Sequence, residues 1–225
     1  VYNLAMQWPA LIISLLLGLT PAAHAREGSD SDAISLTDLA AIADLVAVTQ
    51  VRDTDYLTRR DRPVSGSAYL KILIPYKLDQ DAELVEVYEQ GLHENECYFP
   101  NPSVLEEGRR YLVFLLRDAD DPNRYRGLPQ GCALDVLVTR SNRYALRYPV
   151  TGIRLADDMS GMAREMEFSD PYAIVDDESL EPALRDALLE DGYLEPWAPE
   201  RQWIYTRGVD LEKTRGLIDP SALGH

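Results

Sequence analysis

Three observations predict a mainly β chain built on a small closed barrel, with a short helix before it and a helical extension after it. First, Arg110 to Arg117 encloses an uninterrupted apolar run, Tyr111 to Leu116, after a Gly turn and two arginines. Its two faces, Tyr111/Val113/Leu115 and Leu112/Phe114/Leu116, are both apolar, so it reads as a central strand covered on both sides. Second, shorter segments that alternate apolar and polar residues flank it, the pattern of a small barrel. Third, after Val150 the alternation gives way to acidic residues and one helical pattern.

Taken in order, residues 26–35 are polar and read as a disordered linker. Thr37-Asp38 fits the cap and acidic first turn of a short helix through Ala43. Asp44 to Val51 is β-branched and reads as the first strand. Arg52 to Ser67 reads as a charged loop closed by Pro63 and Gly66. From Ala68 to Lys77 one face carries Ala68, Leu70, Ile72, Ile74 and Tyr76, and the other Tyr69, Lys71, Leu73, Pro75 and Lys77. Pro75 fits an edge position or a strand end. In Glu83 to Glu89, Val85 and Val87 point inward and Glu86 outward. A loop over 91–102 holds His93 and Cys97. Beyond the central strand, Asp118 to Gly131 is an acidic loop. Leu134, Val136 and Val138 then alternate, Ser141-Asn142 makes a tight turn, and Tyr144, Leu146 and Tyr148 alternate again, which is the strongest hairpin signal in the chain. Ser179 to Glu190 is an amphipathic helix with Leu180, Leu184 and Leu188 on one side, Ser179 as its cap and Gly192 as its stop. Residues 36–150 thus read as the barrel and 151–225 as an acidic extension with one helix.

The chain has 225 residues and a net charge of -16. That balance argues against nucleic acid as a partner; Arg59-Arg60 and Arg124/Arg126 read as solvated loops. Residues 1–25 contain no charged side chain apart from any on His24, Leu11 to Leu19 is apolar, and Ala23-His24-Ala25 is an A-x-A cleavage pattern. Residues 1–25 therefore read as a secretory signal peptide, giving a secreted or periplasmic protein starting at Arg26, with no stable membrane insertion once the segment is removed. In an oxidising compartment the pair Cys97 and Cys132 reads as one disulfide. It closes a 36-residue loop (132 − 97 + 1), worth about 3–4 kcal/mol in the chain-entropy model. Its expected role is stability, with ligand binding surviving its removal.

The order of short helix, "Ala43-Asp44-Leu45-Val46" strand, second strand ending near Lys77, third strand, Cys97, then "Leu105-Glu106-Glu107-Gly108-Arg109-Arg110-Tyr111-Leu112-Val113-Phe114-Leu115" resembles the netrin-like modules related to tissue inhibitors of metalloproteinases. The resemblance covers roughly Leu36 to Val150 and implies a five-stranded OB-type barrel. Inhibitors of that family work through a mature N-terminal Cys that chelates the target's zinc. Here the expected mature N-terminus is Arg26, with Cys97 the first cysteine, so the resemblance carries the fold and not the inhibitory site.

No catalytic or metal constellation emerges. His93, Glu94, Glu96 and Cys97 supply ligand types in one short loop, whereas zinc takes ligands from separated pairs. A Ser-His-Asp enzyme would depend on His93, and no G-x-S-x-G elbow occurs. Asp118 to Asn123 departs from the calcium-loop pattern at Pro122 and Asn123. The tail aromatics Trp197, Trp203 and Tyr205 either dock on the barrel or meet a partner. The expected function is an exported, non-enzymatic binding or interaction module without cofactor, its ligand a protein or a saccharide. A protease inhibitor of the related kind and a carboxylate-based hydrolase are the alternatives.

Overall fold

The computed structural model describes residues 33–60, 62–78, 82–90, 97–99, 108–197 and 201–218. The expected signal segment, His93, Glu94, Glu96 and Leu105 to Glu107 lie outside them. The β-branched run after Ala43 becomes β1 (Leu45–Arg59), which turns back into β2 (Arg62–Lys77) and then β3 (Leu84–Gln90). The central run is β4 (Arg110–Arg117), followed by β5 (Arg124–Gly127). These five strands close in the order β1-β2-β3-β5-β4, with β4 pairing back onto β1 from Leu45↔Leu115 to Gln50↔Arg110. β3 and β5 run parallel and all other barrel neighbours antiparallel. The fold is therefore an OB-type closed barrel, as the sequence predicts.

β4 is buried along Arg110 to Leu115, and its two faces serve different cores. Tyr111, Val113 and Leu115 point into the barrel with Leu45, Ala47, Leu70 and Val87. Leu112 and Phe114 point outward, into a second core shared with Val46, Val48, Leu134 and Leu146. A strand without alternation needs a cover on each side, and both covers are present. The outer cover includes α1 (Leu36–Ile42) and α3 (Leu211–Ile218), with Leu39 and Ile218 in that core. Ser35, not Thr37, caps α1: its Oγ accepts from the Asp38 amide at 3.0 Å, and Asp38 occupies the first turn. The chain is already tied down at Ile34, which bridges to Leu155.

β4 also carries the sheet beyond the barrel. Its second half pairs with β5, while its first half pairs with β6 (Ala133–Val138) on the same side. β6 forms the expected hairpin with β7 (Tyr144–Arg147), and Asn142 in the turn adopts φ 60°. The sheet continues through β12 (Arg207–Asp210) to the two-residue β8 (Arg164–Glu165). A separate three-stranded sheet, β10 (Leu194–Trp197), β11 (Gln202–Tyr205) and β9 (Ile174–Asp176), packs with α2 (Pro182–Glu190) in a third core containing Leu137, Ala145, Leu188 and Tyr205. The extension thus holds strands the sequence did not signal. They are two to four residues long, too short for periodicity to register. At the layer junction the buried Arg110 pairs with Asp170 at 3.2 Å, and Asp170 accepts the Val138 and Tyr172 amides.

Two expectations are corrected. Residues 52–59 and 62–67 are strand rather than loop. Thr54, Tyr56, Thr58 and Val64 suit a strand, and antiparallel pairing continues, through register shifts at Val51/Asp53 and Leu57/Thr58, to Arg59↔Arg62. Gly66, at φ 138°, faces Tyr56 across the ladder, where a Cβ would lie 2.1 Å from the Asp55 carbonyl oxygen. The helix begins at Pro182, after a short 3-10 turn, and its buried residue is Leu188; Leu184 is 48% exposed. Leu188→Asp should therefore cost about 3 kcal/mol or more by burying an unpaired charge, while Leu184→Asp stays within about 0.5 kcal/mol. Denaturant unfolding of the two variants checks this, and an equal loss in both would contradict the packing described.

Candidate functional site

Past Val51, β1 leaves β4 and continues with β2 as a hairpin. One wall of a groove of about 480 Å³ is built from this hairpin by Thr54, Asp55, Tyr56, Thr58 and Pro63. The opposite wall is Tyr98 and Phe99. That volume lies in the usual range for ligand clefts. Thr54, Tyr56 and Thr58 share one face by strand alternation.

The second wall is fixed at three points. The Cys97–Cys132 disulfide, with a Cα–Cα distance of 6.0 Å, ties it to the turn before β6. The Phe99 amide donates to the Tyr56 hydroxyl at 3.0 Å. Phe99 itself is 1% exposed and packs edge-to-face on Tyr111 inside the barrel, centroids 5.2 Å apart. Tyr98 meets Tyr56 edge-to-face at 5.2 Å and 82°. The two rings form a corner of the groove, while Phe99 closes the barrel beneath it.

Behind Tyr56 lies Glu89, which is 3% exposed. Its Oε1 accepts the Gly127 amide at 2.8 Å, and Arg126 stands 4.0 Å from its other oxygen. A Cβ at Gly127 would lie 3.0 Å from both Cys97 Cβ and Glu89 Oε1. Glycine lets β5 pass closely between the disulfide and the carboxylate, where any Cβ would make tight contacts. Burial pushes the Tyr56 hydroxyl up to about 12, against the lowering effect of the Phe99 amide, and the Glu89 charge adds to the rise. Burial likewise holds Tyr111 at about 12. Both phenols are neutral at physiological pH, so Tyr56 offers a hydroxyl and not a charge.

The other sequence candidates fall elsewhere. Asp118 and Asn123 do not form an open ligand loop. Asp118 accepts from the Asp120 amide and from Arg124 Nε at 2.6 Å, the amide doing most to hold its carboxyl below the usual aspartate range. Arg124 also lies over the Tyr88 ring at 3.9 Å. Trp203 and Tyr205 are docked, but in the outer layer. Trp203 Nε1 donates to Asp177 at 3.0 Å, and Tyr205 lies beneath Arg147 at 4.7 Å. Trp197 is 38% exposed. Cys97 is held in the disulfide, and no group of three or more His, Cys, Asp and Glu side chains able to hold a metal occurs among the described residues. No helix among them is long and apolar enough to cross a membrane. Sequence reasoning missed Tyr56 and Tyr98; the Thr-x-Tyr-x-Thr alternation in Thr54 to Thr58 was the available signal. No protein-family model matches the chain, and no curated protein or solved structure is significantly similar to it.

Because Tyr98 and Phe99 directly follow Cys97, the bridge holds a wall of the groove as well as the barrel end. Replacing both cysteines by Ser should lower stability by about 3–4 kcal/mol. It should also increase quenching of tyrosine fluorescence by small solutes at temperatures where the barrel stays folded. Unchanged quenching would separate the disulfide from the groove. Alkaline titration gives a second check. Phenols raised in the folded state contribute stability that is complete below about pH 10 and is lost as pH rises through 10 toward 12. Absorbance at the phenolate band should show a late-titrating class, and Tyr56→Phe should remove part of it.

Proposed function

We propose that this chain is an exported, non-enzymatic binding module on a netrin-like OB barrel, with the groove between the β1–β2 hairpin and Tyr98-Phe99 as its ligand site. The observation that carries the reading is the corner made by Tyr56 and Tyr98, held by a buried hydrogen-bonded frame and open beside two threonines and a carboxylate. Ring faces with a few placed polar groups suit recognition. Proton-transfer chemistry calls for a titratable group placed for it; among the described lining residues the one carboxylate, Asp55, stands with hydroxyls and ring faces. Export is supported by the apolar Leu11 to Leu19 stretch with its Ala23-His24-Ala25 pattern, and by the disulfide.

Arrays of peptides and glycans probed with the protein test the reading. A specific ligand should be retained, and Tyr98→Ala should weaken it at least tenfold, which corresponds to about 1.4 kcal/mol. Retention indifferent to Tyr98→Ala and Thr58→Ala would remove the groove from the function. Turnover of a ligand, abolished by Asp55→Asn, would replace the module with an enzyme.

A further inference from the structure

Among the described residues, the β1–β2 hairpin runs on past the pairing with β3: the last such pair is Ser65↔Gln90, beyond which β1 and β2 pair with each other through Thr58↔Pro63 and Arg59↔Arg62. Three residues of strand span roughly 10 Å, about one Debye length at physiological ionic strength. The tip carries Arg59, Arg60 and Arg62, all exposed, and Arg52 is exposed at the hairpin's base. Arg60 adopts φ 52° in the turn.

These arginines differ from the ion-paired arginines of the protein's body. Arg110, Arg124, Arg143, Arg147 and Arg185 each pair with an aspartate. Among the described residues, Arg59, Arg60 and Arg62 have no carboxylate within ion-pair distance. The chain has sixteen more acidic than basic side chains, and the hairpin carries Asp53 and Asp55 with Asp61 between Arg60 and Arg62, yet residues 59–62, three arginines against one aspartate, are net basic. At that distance the repulsion between the acidic body and an anion is screened, while the tip's own attraction acts at contact. The cations from 52 to 62 are all arginine, whose planar fork matches a carboxylate or sulfate in two parallel hydrogen bonds where lysine offers a point charge.

The tip borders the groove: Thr58 and Pro63 line it, and Arg59↔Arg62 is the next pair. A ligand lying along the hairpin meets aromatic faces and hydroxyls first, then guanidinium groups. A pyranose presents a C–H face and a hydroxyl rim, and an acidic sugar adds a carboxylate or sulfate. Resting on the binding-module reading above, we propose that groove and tip together bind an acidic glycan, with sugar rings on Tyr56 and Tyr98 and the acid groups on Arg59, Arg60 and Arg62.

Affinity electrophoresis or calorimetry with sodium polygalacturonate tests this, with dextran as the neutral glycan and poly-L-glutamate as the acidic peptide. Polygalacturonate should bind, dextran should bind at least tenfold more weakly, and rising salt should weaken the complex. The triple variant Arg59→Ser/Arg60→Ser/Arg62→Ser should lose at least tenfold, as should Tyr98→Ala. The triple Arg→Lys variant, which keeps charge and fold, should fall between wild type and the Ser variant. Equal binding of dextran, equal binding of poly-L-glutamate, an unaffected triple Ser variant, or no binding of polygalacturonate would each overturn the proposal. A Tyr98-dependent ligand of another class would do so while leaving the binding module standing.

Discussion

The structure depends on two adjacent strands being apolar on both faces. β4 from Arg110 to Leu115 and β1 from Leu45 to Val51 are buried and pair with each other. One face of the pair fills the barrel, while the other forms the floor of the second core. A barrel with a solvated exterior would have left Val46, Val48, Leu112 and Phe114 in water. At about 1.5–3 kcal/mol per large apolar side chain, covering them is worth a substantial part of a domain's stability. α1, α3 and the β6-β7-β12 sheet are the cover, so the extension completes the barrel's outer surface.

The same division recurs one layer out. β6 and β7 put Leu134, Val136 and Leu146 toward the second core and Leu137 and Ala145 toward the third. Between layers the contacts become polar and charged. Arg110 is 8% exposed and meets Asp170, while Arg147 meets Asp135 at 2.7 Å and lies over Tyr205. Buried pairs of this kind contribute little net stability, but loss of one partner is costly because it strands a desolvated charge. Arg110–Asp170 joins β4 to the extension, so a displaced outer layer would strand one of its charges.

The groove lies where the two-faced rule stops. β1 follows β4 as far as Val51, whose amide bonds to the Arg109 carbonyl, and then continues with β2. The barrel end so opened is filled by Phe99, and the polypeptide around it is held by the disulfide, the Tyr56 hydroxyl and the passage of Gly127. Tyr98 is placed at the surface because its neighbours on both sides, Cys97 and Phe99, are anchored. A rigid frame beneath a half-buried ring would lower the ordering cost of any binding there.

The sequence by itself determined whatever depends on local pattern. The covered strand at Arg110 to Arg117, the alternation around Val85 and Val87, the hairpin across Ser141-Asn142, the stop at Gly192 and the pairing of two lone cysteines could all be read from neighbouring residues, since periodicity and turn chemistry act over a few positions. Tertiary structure decided what depends on distant partners. Thr54 to Thr58 became strand because β2 lay beside it. Leu188 rather than Leu184 was buried because the three-stranded sheet covers only part of the helix. Glu89 could be buried because Gly127, 38 residues away, supplies an amide. Tyr56 and Tyr98 became neighbours only when the barrel closed and brought residues 42 positions apart into contact (98 − 56). Burial and juxtaposition belong to pairs of residues far apart in the chain, and no single stretch of sequence encodes the second member of the pair.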